Sequence, residues 1–250
     1  MSSEGLTYLI TGANRGIGLG LVEALVARPR TTVIAAVRDP AASSSAFAKV
    51  SPGTSSKLVI VKLDMSSETD ALDAAKRLEA CHRISHIDVL VSNAGIMEPS
   101  AISSVLSTPI EKVRKHVEVN AFGPLLLIQA FYPLLEKSAA PQFLSITSGI
   151  GSLGSIGKYS VPFYAYGTSK AAQNYLVAKL AQEIPTLVSI AYSPGWVQTD
   201  MGNGAAKGVG MESAPLTLEA TIPKLLKLFD EASLENTGKF FNQDGEIIPW

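Results

Sequence analysis

The stretch that most restricts how this 250-residue chain can fold is Thr11-Gly12-Ala13-Asn14-Arg15-Gly16-Ile17-Gly18. It joins a short apolar run, Leu6 to Thr11, to a helical pattern that opens at Gly16, carries Leu19, Leu21, Val22, Leu25 and Val26, and stops before Pro29. In a strand–turn–helix context such glycines let the backbone turn sharply and approach a pyrophosphate closely. The unpaired N–H groups of the first helical turn then point at the anion. The turn predicts a dinucleotide site built from Gly12, Asn14, Arg15, Gly16, Ile17 and Gly18. The bland alternative is a strand-to-helix turn that holds no ligand.

The rest of the chain repeats the alternation. Thr32 to Val37, Leu58 to Leu63, Ile87 to Val91, Phe143 to Thr147 and Leu187 to Tyr192 read as short apolar strands, with a last one at Lys239 to Phe241. Helical patterns cover Ser67 to about Cys81, the long stretch Ile110 to Leu135, the segment from Tyr166 to near Pro185, and Leu218 to Phe229. Strands alternating with helices, each strand apolar throughout, predict an α/β fold: a doubly wound parallel sheet of about seven strands with helices on both faces. No linker, repeat or composition break divides it. One domain is expected over 1–250, with a nucleotide-binding half at about 1–140 and a catalytic and substrate-binding half at about 141–250.

A net charge of -1 gives no electrostatic reason to expect nucleic acid or an anionic membrane as partner. No uninterrupted apolar run approaches the roughly 18 residues a span needs. Met1-Ser2-Ser3-Glu4-Gly5 has no basic, apolar leader pattern, and the one cysteine, Cys81, cannot form an internal disulfide. The expectation is a cytoplasmic protein.

Tyr166 and Lys170 lie four residues apart and so share one helix face. An ammonium there would stabilise phenolate and lower the phenol from its usual value of about 10, into the range of an acid catalyst. Alone, the pair reads first as an ordinary half-buried tyrosine beside a solvated lysine. Competing chemistries find no support: residues 149–157 hold no G-x-S-x-G elbow, the histidines (82, 86 and 116) and the lone cysteine make no plausible metal set, and no paired-carboxylate motif stands out.

The spacing of the glycine turn resembles the TGxxxGxG of the short-chain dehydrogenase/reductase family, and five further motifs follow in order. Ser92-Asn93-Ala94-Gly95 resembles NNAG, with Ser in place of the first Asn. Asn120 resembles the asparagine in the middle of the long fourth helix, and Ser148, closing the fifth strand, the catalytic serine. Tyr166 with Lys170 resembles YxxxK, and Pro194-Gly195-Trp196-Val197-Gln198-Thr199-Asp200 resembles the PG motif. The resemblance implies a Rossmann fold and a nicotinamide cofactor. Tyr166 would protonate a carbonyl, Ser148 would hydrogen-bond its oxygen, Lys170 would hold the nicotinamide ribose, and Asn120 would connect Lys170 to solvent through a water. Asn120 could instead satisfy backbone groups within a helix. Asn93, Ala94, Gly95, Pro194 and Gly195 would line the cofactor, Val197 and Thr199 would touch its carboxamide and phosphate, and Asp64, beside Met65, would meet the adenine unless it caps the following helix.

Where an acid after the second strand selects NAD and an arginine accommodates a 2′-phosphate, this chain has Val37 and then Arg38, with Arg15 in the turn able to approach the same phosphate. That favours NADP(H); Asp39, one residue on, would favour NAD. The serine-to-tyrosine segment is extended and glycine-rich, and Tyr159 and Phe163 in it suggest either an adjustable wall over the substrate or a solvent loop. Met201 to Leu216 occupies the family's lid position. Few charges line either segment, so an apolar, aromatic or polyketide-type ketone is the expected small-molecule carbonyl substrate. Within the family, the chain resembles sniffer-type carbonyl reductases, C-factor proteins and fungal ketoreductases of the norsolorinic acid ketoreductase kind. An NAD-dependent alcohol dehydrogenase and a non-catalytic nucleotide sensor are the rival readings. Family relatives commonly associate through the two long helices, which makes a homodimer or homotetramer the expectation and a monomer the alternative.

Overall fold

The computed structural model describes residues 5–250. Met1 to Glu4, on which the expected lack of a leader rests, lie outside the described residues. The elements run β1 (Thr7–Thr11), α1 (Gly16–Val26), β2 (Thr32–Val37), α2 (Ser44–Phe47), β3 (Lys57–Lys62), α3 (Asp70–His82), β4 (Val89–Ser92), α4 (Ile110–Val117), α5 (Gly123–Leu135), β5 (Gln142–Ile146), α6 (Tyr164–Glu183), β6 (Val188–Tyr192), α7 (Asp200–Gly208), α8 (Leu218–Asp230) and β7 (Phe240–Phe241). The seven strands form one sheet in the order β3-β2-β1-β4-β5-β6-β7, parallel throughout. Strand order reverses between β1 and β4. The carboxyl ends there flank the crevice where ligands of open α/β sheets bind.

Side-chain alternation along the strands explains why both faces are covered. Leu9 and Ile34 face a core shared with α3, α5 and α6, through Leu78, Leu127, Phe131, Leu134 and Val177. Tyr8, Ile10, Val33 and Ala35 face the opposite core with α1 and α8, through Leu21, Leu25, Leu225 and Phe229. Each of these buried large side chains contributes roughly 1.5–3 kcal/mol. α1 sits close to α8 because Gly20 has no side chain: a Cβ there would come 2.8 Å from Ile222 Cδ1.

The stretch Ile110–Leu135 is one continuous helix, long and apolar enough by length and composition to cross a membrane. Its apolar face is committed elsewhere, because Leu127, Phe131, Leu134 and Leu135 lie at 0–1% exposure in the core. Between α4 and α5 it passes through a π-helical turn, Glu118–Phe122, which the residue pattern alone did not foretell.

Candidate active site

The glycine turn closes at the mouth of the sheet. Gly12 and Gly16 take φ of +64° and +53°, a region that a residue with a Cβ seldom enters. A Cβ on Gly18 would lie 2.3 Å from the Gly12 carbonyl, and one on Gly16 would lie 2.9 Å from Thr199 Cγ2. The N-cap of α1 is Arg15, whose side chain makes no capping bond, and among the described residues no side chain accepts from the amides at the start of that helix. Side chains are thus excluded where a diphosphate would lie, and the first-turn donors are left for an anion: the residues present fit a dinucleotide.

Neighbouring segments brace this turn. Thr11 Oγ1 accepts from the backbone N–H groups of Asn93 and Ala94, both at 3.0 Å, and Asn93 Nδ2 donates to the Thr11 carbonyl at 2.8 Å. Asn14 Nδ2 donates to Ser43 Oγ at 3.0 Å. Arg15 lies 3.5 Å from Asp200 Oδ2, both side chains largely in solvent. Thr199 caps α7 by accepting from the Gly202 N–H at 3.0 Å. Pro194 and Val197 are buried, and the Val197 backbone pairs with Leu216. Gly195 stands at φ +77°.

Arg38 is exposed just beyond β2. Asp39 is engaged locally: its Oδ1 accepts from the Ala42 N–H at 3.0 Å. Asp64 does not cap α3. It closes its own turn, accepting from both the backbone and the hydroxyl of Ser66, at 3.0 and 2.8 Å, while Met65 beside it is buried against Gly123. Ser92, standing where the motif has its first Asn, is buried with an unpartnered hydroxyl.

Four of the residues singled out converge at the ends of β4 and β5. Ser148 follows β5, and its hydroxyl accepts from the Ile150 N–H at 3.3 Å. Tyr166 and Lys170 rise from α6. Asn120 is aimed inward from the π turn and is engaged at both ends: Oδ1 accepts from the Ile96 N–H at 2.7 Å, and Nδ2 donates to the Ile96 carbonyl and to Ser169 Oγ, both at 2.9 Å. Gly95 lies between Asn120 and Lys170, and a Cβ there would come 3.0 Å from one and 3.4 Å from the other.

The electrostatics differ from the expectation that an ammonium lowers the tyrosine. Lys170 is 3% exposed, and burial pushes its amine down to about 7. Its Nζ lies 5.7 Å from the Tyr166 ring centre and is directed to the Ile146 carbonyl at 3.2 Å and to Gln173 Oε1 at 2.7 Å. Half-buried Tyr166 is itself pushed up, to about 12, by desolvation, which its interaction with the Ser148 side chain offsets only in part. The sequence spacing places the two groups together. It does not reveal that both lose water there, and desolvation is the largest influence on each. Gln173 escaped the motif reading; its position three residues after Lys170 on one helix face was the available signal.

On the other side of Tyr166 the surroundings are apolar. Met97, Phe163 and Ala205 form a small buried cluster against which Ile150, Tyr166 and Trp196 pack. Phe163 meets Trp196 edge to face at 6.1 Å. The extended segment after Ser148 divides its side chains. Phe163 is buried and the Tyr159 hydroxyl approaches Gly149 so closely that a Cβ there would lie 2.2 Å away, whereas Leu153 and Ile156 point to solvent.

The sequence pattern of short chain dehydrogenases matches residues 7–212. Norsolorinic acid ketoreductase of Dothistroma septosporum is 41% identical over 253 residues, covering 99% of this chain and 94% of that protein. A short-chain dehydrogenase of Pyricularia oryzae is 38% identical, covering 99% and 100%. Among solved structures, an NADPH-bound carbonyl reductase from chicken fatty liver superposes with a TM-score of 0.82 at 28% identity, covering 99% of this chain and all of that one. The carbonyl reductase Sniffer of Drosophila melanogaster gives 0.84 at 26%, with the same coverage. With the glycine cradle, the parallel sheet and the Ser148, Tyr166 and Lys170 cluster already in view, this chain belongs to the short-chain dehydrogenase/reductase family and is a nicotinamide-dependent short-chain oxidoreductase.

Proposed function

We propose that this protein is an NADPH-dependent ketoreductase acting on an apolar, aromatic or polyketide-type ketone, with Tyr166 as proton donor. The observation that carries the reading is the meeting, at one end of the sheet, of an anion-accepting glycine cradle, the Ser148, Tyr166 and Lys170 cluster, and an apolar wall against the Tyr166 ring. A bound nicotinamide supplies the hydride. Tyr166 gives its proton to the carbonyl oxygen, and Ser148 donates a hydrogen bond to that oxygen as negative charge develops. Lys170 holds the nicotinamide ribose, with Asn120 behind it. The apolar cluster around Phe163 and Trp196 receives the substrate's rings. The names of the fungal relative and of the avian structure point the same way.

NADPH is preferred over NADH because Arg38 stands exposed beyond β2 while Asp39, the group that would favour NADH, is held in its own turn. The same reading includes a homodimer or homotetramer formed through α4, α5 and α6, where Phe122 and Tyr175 stand 52% and 70% exposed. It also includes a reducing, cytoplasmic setting for the free, exposed Cys81. Light scattering of the purified protein decides the first.

The test of the activity is fluorescence titration with NADPH and NADH, followed by NADPH consumption against aromatic and quinone-like ketones. Tyr166→Phe should bind NADPH nearly as wild type and lose turnover by about 100-fold or more. Retention of most activity, or failure to bind either nucleotide, would overturn the proposal.

A further inference from the structure

Gln173 is a polar side chain at 0% exposure, in a helix face that an apolar residue would fill at lower cost. Both of its ends are spoken for. Oε1 accepts from Lys170 Nζ at 2.7 Å, and Nε2 donates to Ser145 Oγ at 2.8 Å. The carboxamide oxygen faces the amine, the arrangement a protonated Lys170 requires because an ammonium only donates, and the NH2 end finds its acceptor on β5. Ser145 stands in register with Ser92 of β4, so the brace is rooted in the middle of the sheet. Lys170's other protein partner is the carbonyl of Ile146, two residues before Ser148. α6 and β5 are thus tied together through the lysine's own nitrogen.

We propose that Gln173 is a positioning residue: braced by Ser145, its carboxamide oxygen holds the Lys170 nitrogen beside the Ile146 carbonyl and at its distance from Tyr166. The proposal rests on the roles given above to Lys170 and Tyr166. What faces Lys170 is Tyr166 and Gln173 on its own helix, Asn120 across Gly95, and the Ile146 carbonyl of β5, and among the described residues no carboxylate lies within ion-pair distance of Nζ. In that setting a neutral acceptor is the group that favours the charged amine over the burial opposing it. Removing it should make the amine easier to deprotonate, and replacing it with a carboxylate should do the reverse.

The experiment compares Gln173→Met and Gln173→Glu with wild type, reading NADPH affinity by fluorescence from pH 6 to 10 and the pH profile of ketone reduction. Gln173→Met should weaken NADPH binding about 10-fold near pH 8. It should also move the pH at which binding falls off about one pH unit lower, the size expected for one hydrogen bond to a charged group. Gln173→Glu should move it higher. In Gln173→Met kcat should fall while KM for the ketone stays within about 2-fold. Thermal unfolding checks that each variant folds; should Gln173→Met not fold, Ser145→Ala, which removes only the brace, is expected to move the same pH limb in the same direction by less. Unchanged NADPH affinity and unmoved pH limbs in the folded variants would overturn the proposal. Tyr166→Phe, measured in parallel, separates the two claims: turnover surviving that change defeats the ketoreductase reading, while the binding curves still judge Gln173.

Discussion

Lys170→Met should abolish turnover and at the same time make the protein without nucleotide more stable at neutral pH. The amine's ordinary value of 10.5 falls to about 7 in the folded chain. As pH falls from 10.5 to 7 the unfolded chain takes up a proton that the folded one refuses, so the wild type loses stability across that window, by at most about 1.4 kcal/mol per pH unit. Below 7 both states carry the proton and the penalty is constant, about 5 kcal/mol in full. Methionine fills a similar volume without the charge, but it leaves the Ile146 carbonyl and Gln173 Oε1 without their donor, each costing about 1–3 kcal/mol. The net at pH 6 lies between a variant about 1 kcal/mol less stable and one about 3 kcal/mol more stable, centred on a gain of about 1 kcal/mol, equivalent to a rise in Tm of about 2–4 °C for a chain of this size. That advantage should shrink steadily above pH 7. The assay is urea unfolding without nucleotide at half-unit steps from pH 6 to 9.5, wild type against variant. His116, whose value burial lowers from 6.5, contributes to both chains alike and cancels in the difference. A difference in stability that stays flat across this range would show that Lys170 titrates as an ordinary lysine, and the desolvation argument would fall.

Two further outcomes follow from the cofactor edge and the tail. Arg38→Ala should raise the Kd for NADPH by about 10- to 100-fold, the effect of one charge-assisted contact to a phosphate, and leave NADH within about 3-fold; parallel fluorescence titrations check this, and an equal loss for both nucleotides would remove Arg38 from the specificity argument. Deleting Pro249 and Trp250 removes the bonds from Ser152 Oγ to the Pro249 carbonyl at 2.5 Å and from the Gly154 N–H to the Trp250 carbonyl at 2.8 Å, together with the stack of Trp250 on Phe240 at 5.4 Å. The expected loss is about 3 kcal/mol, a fall in Tm of about 6–12 °C, with faster proteolytic cleavage between 149 and 163. An unchanged cleavage rate would mean that this segment holds itself.

The sheet was legible because each strand carries a short, mostly apolar run bounded by polar or turn residues, as in β3, where Lys57 and Lys62 close the run Leu58 to Val61. Thr32–Val37 could be bounded to the residue from its run of β-formers, since every side chain after Thr32 is buried between two layers. The sheet's last strand is legible only as a short apolar patch, and pairing narrows it to Phe240–Phe241. The π turn at Glu118–Phe122 left no such trace. One extra residue in a turn changes which way Asn120 points without interrupting an apolar period of helical length, and no glycine or proline within it marks the place. Asn120 was therefore recognisable by motif, while its three hydrogen bonds to Ile96 and Ser169 depend on a local geometry that no residue type encodes.

Lys170 and Tyr166 mark the boundary between identity and environment. Their four-residue spacing dictates that they share a face of α6, and from that alone an ammonium beside a phenol should make the phenol more acidic. Whether it does depends on how much water each group keeps, and that is decided by segments distant in sequence: Gly95 between Asn120 and Nζ, Ile146 on β5, and the apolar cluster of Met97 and Phe163 on the other side of the ring. Each removes solvent, so the amine falls to about 7 and the phenol rises to about 12, against the direction their proximity alone would give. A proton donor in such surroundings starts too weak, and anything that restores charge to Lys170 strengthens it. Gln173, the brace on Ser145 and a ribose held against Nζ would all act in that one direction, so the acidity of Tyr166 becomes a property of the assembled site rather than of the motif that marks it.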